Sequence, residues 1–110
     1  MRALVMLAHP DDELVLTGLL LKLVRAGCSV DVVYATSARK DKMFEGRPHV
    51  VVREEEARAV MAHLGVIPRF LQTEFPELEI EMGNFFETRE TRKLVYDMVN
   101  SEYKPDVVFT

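Results

Sequence analysis

Apolar and polar positions fall into alternating blocks along the chain, and the blocks differ in period. Ala3–Ala8 is a continuous apolar run, as expected of a parallel strand covered on both faces. Asp11 or Asp12 is placed to cap a helix that reaches Ala26, with Gly27 as its stop. That helix is apolar almost all round (Leu14, Val15, Leu16, then Leu19 to Leu21, Leu23 and Val24), which predicts burial against more than one neighbour. Val30–Thr36 is rich in β-branched residues and reads as a second strand. Ser37–His49 reads as a polar, charged loop with no evident element, mobile in the absence of ligand.

A second helix is predicted from about Val51–Arg53, with Glu54, Glu55 and Glu56 complementing the dipole in its first turn. Ala57, Val60, Met61 and Leu64 recur at helical spacing, and Gly65 ends the helix. A short third strand lies within Val66–Thr73, after Pro68. Asn84 followed by Glu87 resembles a capping box that opens the last helix, whose apolar stripe is Leu94, Val95, Met98 and Val99. Lys104-Pro105 stops it, and Asp106–Thr110 begins a fourth strand.

This alternation predicts an α/β, Rossmann-like three-layer domain with a mainly parallel sheet of about four strands. No repeat or Pro/Gly/Ser-rich linker divides residues 1–110, so they read as a single domain. Ligands of such sheets bind outside the carboxyl ends of the strands. His9–Asp12, Thr36-Ser37, Thr73–Glu77 and Thr110 all map to that edge.

Composition narrows the function classes. Of the 110 residues 48% are apolar and 29% charged, ordinary for a globular domain, and the formal net charge is −4. That balance argues against nucleic acid as a partner, while leaving room for a small anionic or sugar ligand. Cys28 is the one cysteine, so neither an intrachain disulfide nor a thiolate metal cluster can form; it reads as a small hydrophobe after the turn at Gly27. Leu14–Val24, the longest apolar stretch, is well below the roughly 18 residues of a transmembrane helix. The apolar start is interrupted too soon by His9-Pro10-Asp11-Asp12 to be a signal peptide, and the expected location is cytoplasmic.

The first strand-to-helix loop carries the candidate chemistry. His9 and Asp12 can aim an imidazole nitrogen and a carboxylate oxygen at one point, and both are good zinc donors. Asp11 is placed to take a proton from a metal-activated water, and Pro10 restricts the backbone between them. By themselves these residues also suit a plain helix cap and a histidine bonded to the backbone. The longer string Ala8-His9-Pro10-Asp11-Asp12-Glu13 after an apolar strand resembles the signature of the PIG-L/LmbE family of zinc-dependent N-deacetylases. A fixed tetrapeptide such as His-Pro-Asp-Asp arises by chance on the order of once per 1,000 chains of this size. The resemblance continues through Gly18, Gly27, Thr36, Arg53-Glu54-Glu55-Glu56-Ala57, Leu64-Gly65 and Pro105-Asp106-Val107-Val108, essentially the whole chain.

The resemblance implies roles for matching positions. His9 and Asp12 would be ligands of Zn2+ or another divalent metal, Asp11 the general base, and Arg53 a substrate contact. The substrate would be an N-acetylated sugar conjugate that loses its acetyl group. Read from its surroundings alone, Arg53 equally suits pairing with nearby glutamates. The family's third ligand is a histidine from a segment after the Pro-Asp-Val-Val strand, so these 110 residues are expected to be the N-terminal portion of a longer deacetylase fold with an incomplete site. His49 and His63 are the remaining histidines; His63 reads as a helix-boundary residue. Three departures from the family pattern bear on substrate: Leu19 follows Gly18 where a second glycine is usual, Ser37-Ala38 replaces an acidic residue and glycine, and Glu77 replaces aspartate after Phe75-Pro76. The alternative is a non-catalytic Rossmann-like binding or interaction module that retains the metal-loop sequence. A nucleotide-binding domain is disfavoured because the first turn has no Gly-x-Gly-x-x-Gly. An uncovered edge at strand four would favour association, and a homo-oligomer through that edge is expected.

Overall fold

The computed structural model describes residues 1–8, 13–39, 41–80 and 88–110. Its strands are β1 (Arg2–Leu7), β2 (Ser29–Tyr34), β3 (Met43–Phe44), β4 (Arg47–Pro48), β5 (Arg69–Phe70) and β6 (Val107–Phe109). Its helices are α1 (Glu13–Arg25), α2 (His49–Ala62), α3 (Leu71–Glu74) and α4 (Arg89–Asp97). β1 sits between β2 and β6 and runs parallel to both, and β5 pairs parallel with the far side of β2. The order β5-β2-β1-β6 is therefore an all-parallel sheet. Bonded along both edges and packed on both faces, β1 has no row that faces water, which is why Ala3, Leu4 and Val5 are fully buried.

Successive side chains of the strands supply two separate cores, as the pleat requires. On one face Val5, Leu7, Val32 and Tyr34 meet Leu20 of α1 and Ala57 and Met61 of α2. On the other, Leu4, Val33 and Ala35 meet Leu71, Ile80, Met98 and Tyr103. Helices thus cover both faces, giving the Rossmann-like three-layer α/β arrangement that the strand–helix alternation predicts.

Several local expectations change. Among the described side chains of α1 only Leu20 is fully buried; Leu19, Leu21, Leu23 and Val24 are half-buried. The helix packs Leu20 against the sheet, and Leu19, Leu21 and Leu23 have partial cover. Residues 37–49 are not without structure. Ser37 and Ala38 are fully buried, and β3 and β4 form an antiparallel hairpin in register Met43↔Pro48 and Phe44↔Arg47. Its turn residues Glu45 and Gly46 both have positive φ, 49° and 77°, the backbone that matches a two-residue turn to the twist of a hairpin. β4 runs directly into α2, so that helix begins at His49 and the three glutamates fall in its second turn rather than its first.

The last helix has Thr88 as its N-cap, the hydroxyl accepting from the Thr91 amide at 3.3 Å. Asn84 and Glu87 lie outside the described residues. After Asp97 the helix widens to a π-helical stretch, Met98–Tyr103, ended by Lys104 in the left-handed conformation. Arg69 braces this layer to β5: its guanidinium donates to Glu102 at 2.6 Å and to the Tyr103 hydroxyl at 2.8 Å.

Glycine stops behave as the sequence predicts. At the end of α1 the Cys28 amide donates to Leu23 and the Gly27 amide to Val24, with Gly27 at φ +82°. This paired closure satisfies carbonyls that the helix itself leaves open.

Two stability predictions follow from burial and backbone. Leu20→Ala should lower unfolding free energy in urea by about 2–5 kcal/mol, whereas Ile67→Ser, at 90% exposure, should change it by less than about 0.5 kcal/mol. Gly27→Ala should cost about 1–2 kcal/mol, the penalty of a Cβ in the left-handed region, read as a lower thermal midpoint.

Candidate active site

The carboxyl ends of the parallel strands β2 and β5 collect buried polar residues, Thr36 and Ser37 after the first and Gln72 after the second. β1 delivers Ala8, whose carbonyl accepts from the Thr36 amide at 2.9 Å and from the Thr36 hydroxyl at 2.7 Å. Two donors on one oxygen use both of its lone pairs and anchor the chain just beyond β1. His9, Asp11 and Asp12, the residues expected to bind metal and move a proton, lie outside the described residues. What surrounds the start of their loop is described.

Beyond Thr36 the chain turns through a second set of bonds. The Ser37 and Ala38 amides donate to the side-chain oxygen of Gln72 at 2.8 and 3.3 Å, and the Gln72 side-chain amide donates to the Ala38 carbonyl at 2.8 Å. Gln72, 5% exposed, thereby stands in for a neighbouring strand where β5 has already ended. Ser37-Ala38 are the residues that depart from the family's acidic-glycine pattern, and here they form a packed, bonded turn.

Glu54 is the centre of the cluster. It is 3% exposed, on the face of α2 that also carries Ala57 and Met61. One carboxylate oxygen accepts from the Ser37 hydroxyl and from the Thr73 hydroxyl, each at 2.5 Å, and the other lies 3.6 Å from the Arg58 guanidinium. A buried carboxylate needs this degree of satisfaction, because an unpaired one would carry a large desolvation penalty. Arg58 in turn lies over the Phe70 ring at 4.7 Å, and Phe70 stacks on Tyr34 at 5.2 Å. The cluster therefore ties α2 to the loops after β2 and β5. The sequence reading placed Glu54 among dipole-complementing glutamates. Its spacing, three residues before Ala57 and seven before Met61, was the available signal that it shares the buried face.

Arg53, the expected substrate contact, is half-buried next to Glu54 on α2. It is near enough to His49 that its charge, with that of Lys42, adds to desolvation in lowering the imidazole pKa, against a smaller opposing influence of Glu56. His49 stacks beside Phe44, and its Nδ1 is buried without a hydrogen-bond partner among the described residues. Next to it, Arg39, Asp41, Lys42 and Met43 line a hollow of about 420 Å³. His63 is exposed at the end of α2, in keeping with a helix-boundary role.

A divalent metal fits the donor chemistry of the loop: one imidazole nitrogen and one carboxylate oxygen within four residues are donors that zinc accepts. Among the described residues, no three His, Cys, Asp or Glu side chains come together in a metal-binding group.

Comparison with known proteins accords with this arrangement. The family model described as PIG-L: GlcNAc-PI de-N-acetylase matches residues 4–110. No curated protein and no solved structure matches significantly. The matched span takes in most of β1, the His9–Asp12 string, the polar cluster around Glu54 and the whole parallel sheet. On that match the chain belongs to the PIG-L, GlcNAc-PI de-N-acetylase, family.

Proposed function

We propose that this chain carries the metal ligands His9 and Asp12 and the base Asp11 of a zinc-dependent hydrolase that removes the acetyl group from an N-acetylated amino sugar. Family membership implies a metal-dependent hydrolase of the de-N-acetylase type acting on an acetylated sugar. The observation that carries the finer reading is the His9-Pro10-Asp11-Asp12 string between the end of β1 and the start of α1, in a chain matched over residues 4–110. Supporting it, the Thr36 bonds to Ala8 give that string a fixed point of departure. No helix among the described residues is long and apolar enough to cross a membrane.

In this reading His9 and Asp12 hold the ion. When bound, zinc supplies Lewis acidity toward the acetyl carbonyl and lowers the pKa of water toward neutrality. The Asp11 carboxylate accepts the proton of the attacking water and can return it to the departing amine. Arg53 orients the sugar conjugate through its guanidinium donors. The products are acetate and the free amino sugar, so atoms and protons balance with water as the one co-reactant.

The test is amine release from N-acetylglucosamine conjugates by the zinc-loaded, full-length chain, with calorimetric zinc binding measured alongside. Asp11→Asn should lower turnover by roughly 10²–10⁴-fold, the usual contribution of a general base, while leaving zinc affinity nearly unchanged. Absence of turnover in the zinc-loaded chain would overturn the hydrolase reading. Arg53→Ala should raise KM with little change in kcat, the pattern of lost uniform substrate binding; an unchanged KM would remove Arg53 from the site.

A further inference from the structure

The buried Glu54 carboxylate has a cost that the fold alone does not require. Its face of α2 is otherwise lined by Ala57 and Met61, and an apolar residue there would fill the same space without desolvating a charge. What a carboxylate adds is a fixed acceptor. Both hydroxyls that reach it come from the loops at the carboxyl edge, Ser37 after β2 and Thr73 in α3 after β5.

Ser37 is joined directly to Thr36, and Thr36 makes both bonds to the Ala8 carbonyl. A continuous chain of contacts therefore runs from Glu54 through Ser37 and Thr36 to the peptide group that leads into His9. Gln72 reinforces it by holding the Ser37 and Ala38 amides from the adjacent residue to Thr73. Glu54, Ser37, Thr36 and Gln72 are buried, which shields their bonds from water, while Ala8 and Thr73 at the two ends of the chain of contacts are exposed.

We infer that Glu54 is a positioning residue for the metal ligands: its carboxylate holds Ser37, and through Thr36 the carbonyl of Ala8, the residue next to His9 in sequence. This rests on the reading of His9 and Asp12 as metal ligands. Glu54 does not touch the metal or the substrate. Its hydrogen bonds act through Ser37 and Thr36, a step beyond groups bonded directly to a ligand, whose loss typically weakens metal binding 10–100-fold.

The distinguishing chemistry is acceptance of hydrogen bonds rather than charge or bulk. In Glu54→Gln the amide oxygen can still accept from both hydroxyls, whereas Glu54→Leu keeps similar volume and offers no acceptor. The experiment is calorimetric zinc titration of the full-length chain and of both variants, with the visible absorption spectrum of each cobalt-loaded protein and circular dichroism as the check of folding. Glu54→Leu should bind zinc about 10-fold or more weakly and show altered cobalt bands, and Glu54→Gln should recover most of both. If Glu54→Leu does not fold, Ser37→Ala, which removes one donor and keeps the carboxylate, should show the same two changes in smaller degree.

A folded Glu54→Leu, or in its place Ser37→Ala, with wild-type zinc affinity and an unchanged cobalt spectrum overturns the inference while leaving the metal site intact. A Glu54→Gln protein as impaired as Glu54→Leu also overturns it, since the acceptor would then not be what matters. Failure of the unaltered chain to bind zinc overturns the metal reading itself, and the positioning role with it.

Discussion

The rest of the structure depends on β1 being enclosed, with β2 along six paired positions on one side, β6 on the other, and packed side chains above and below. A strand in that setting cannot place polar side chains along its length. Polar and ionisable groups are displaced to the point where it ends, and parallel pairing brings the ends of β1, β2 and β5 to one edge. The backbone groups freed there still need partners. Thr36 bonds the Ala8 carbonyl and Gln72 bonds the Ser37 and Ala38 backbone, while the Ser37 and Thr73 hydroxyls donate to Glu54 from α2. The polar edge is thus a direct consequence of the apolar interior.

The same enclosure fixes the end of β1. Ala8, the residue that follows Leu7, is held by a doubly bonded carbonyl. By contrast, the β3–β4 hairpin is exposed along its length, with Met43 and Phe44 largely open to solvent and Arg47 pairing with Glu55 at the surface at 2.7 Å. An exposed pair of that kind contributes little to stability. The hairpin serves instead as the entry to α2, since the His49 amide donates to the Lys42 carbonyl across its base.

Period and punctuation made much of the architecture legible. The apolar run from Ala3, the β-branched run from Val30, the glycine stops at Gly27 and Gly65, and the stripe through Met98 all act within a few residues, where covalent geometry and side-chain spacing dominate. Thr36, Ser37 and Thr73 were placed at the functional edge from topology alone. The family was legible because a rare string of residues, His9-Pro10-Asp11-Asp12, follows a strand. The hairpin was not, because its strands are two residues each and its turn, Glu45-Gly46, is weakly distinctive.

By itself the sequence determined the α/β class, the alternation of parallel strands with helices, and the family, because these follow from local periodicity and from a short, rare string of residues. Only the tertiary structure decided what the buried one of three consecutive glutamates meets. Glu54, Glu55 and Glu56 are chemically identical, yet Glu54 meets two hydroxyls from loops 17 and 19 residues away in sequence, while Glu55 pairs at the surface with Arg47. That distinction depends on where β2 and β5 end relative to α2. It is a long-range relation, set when the two faces of the sheet close, and no local propensity encodes it.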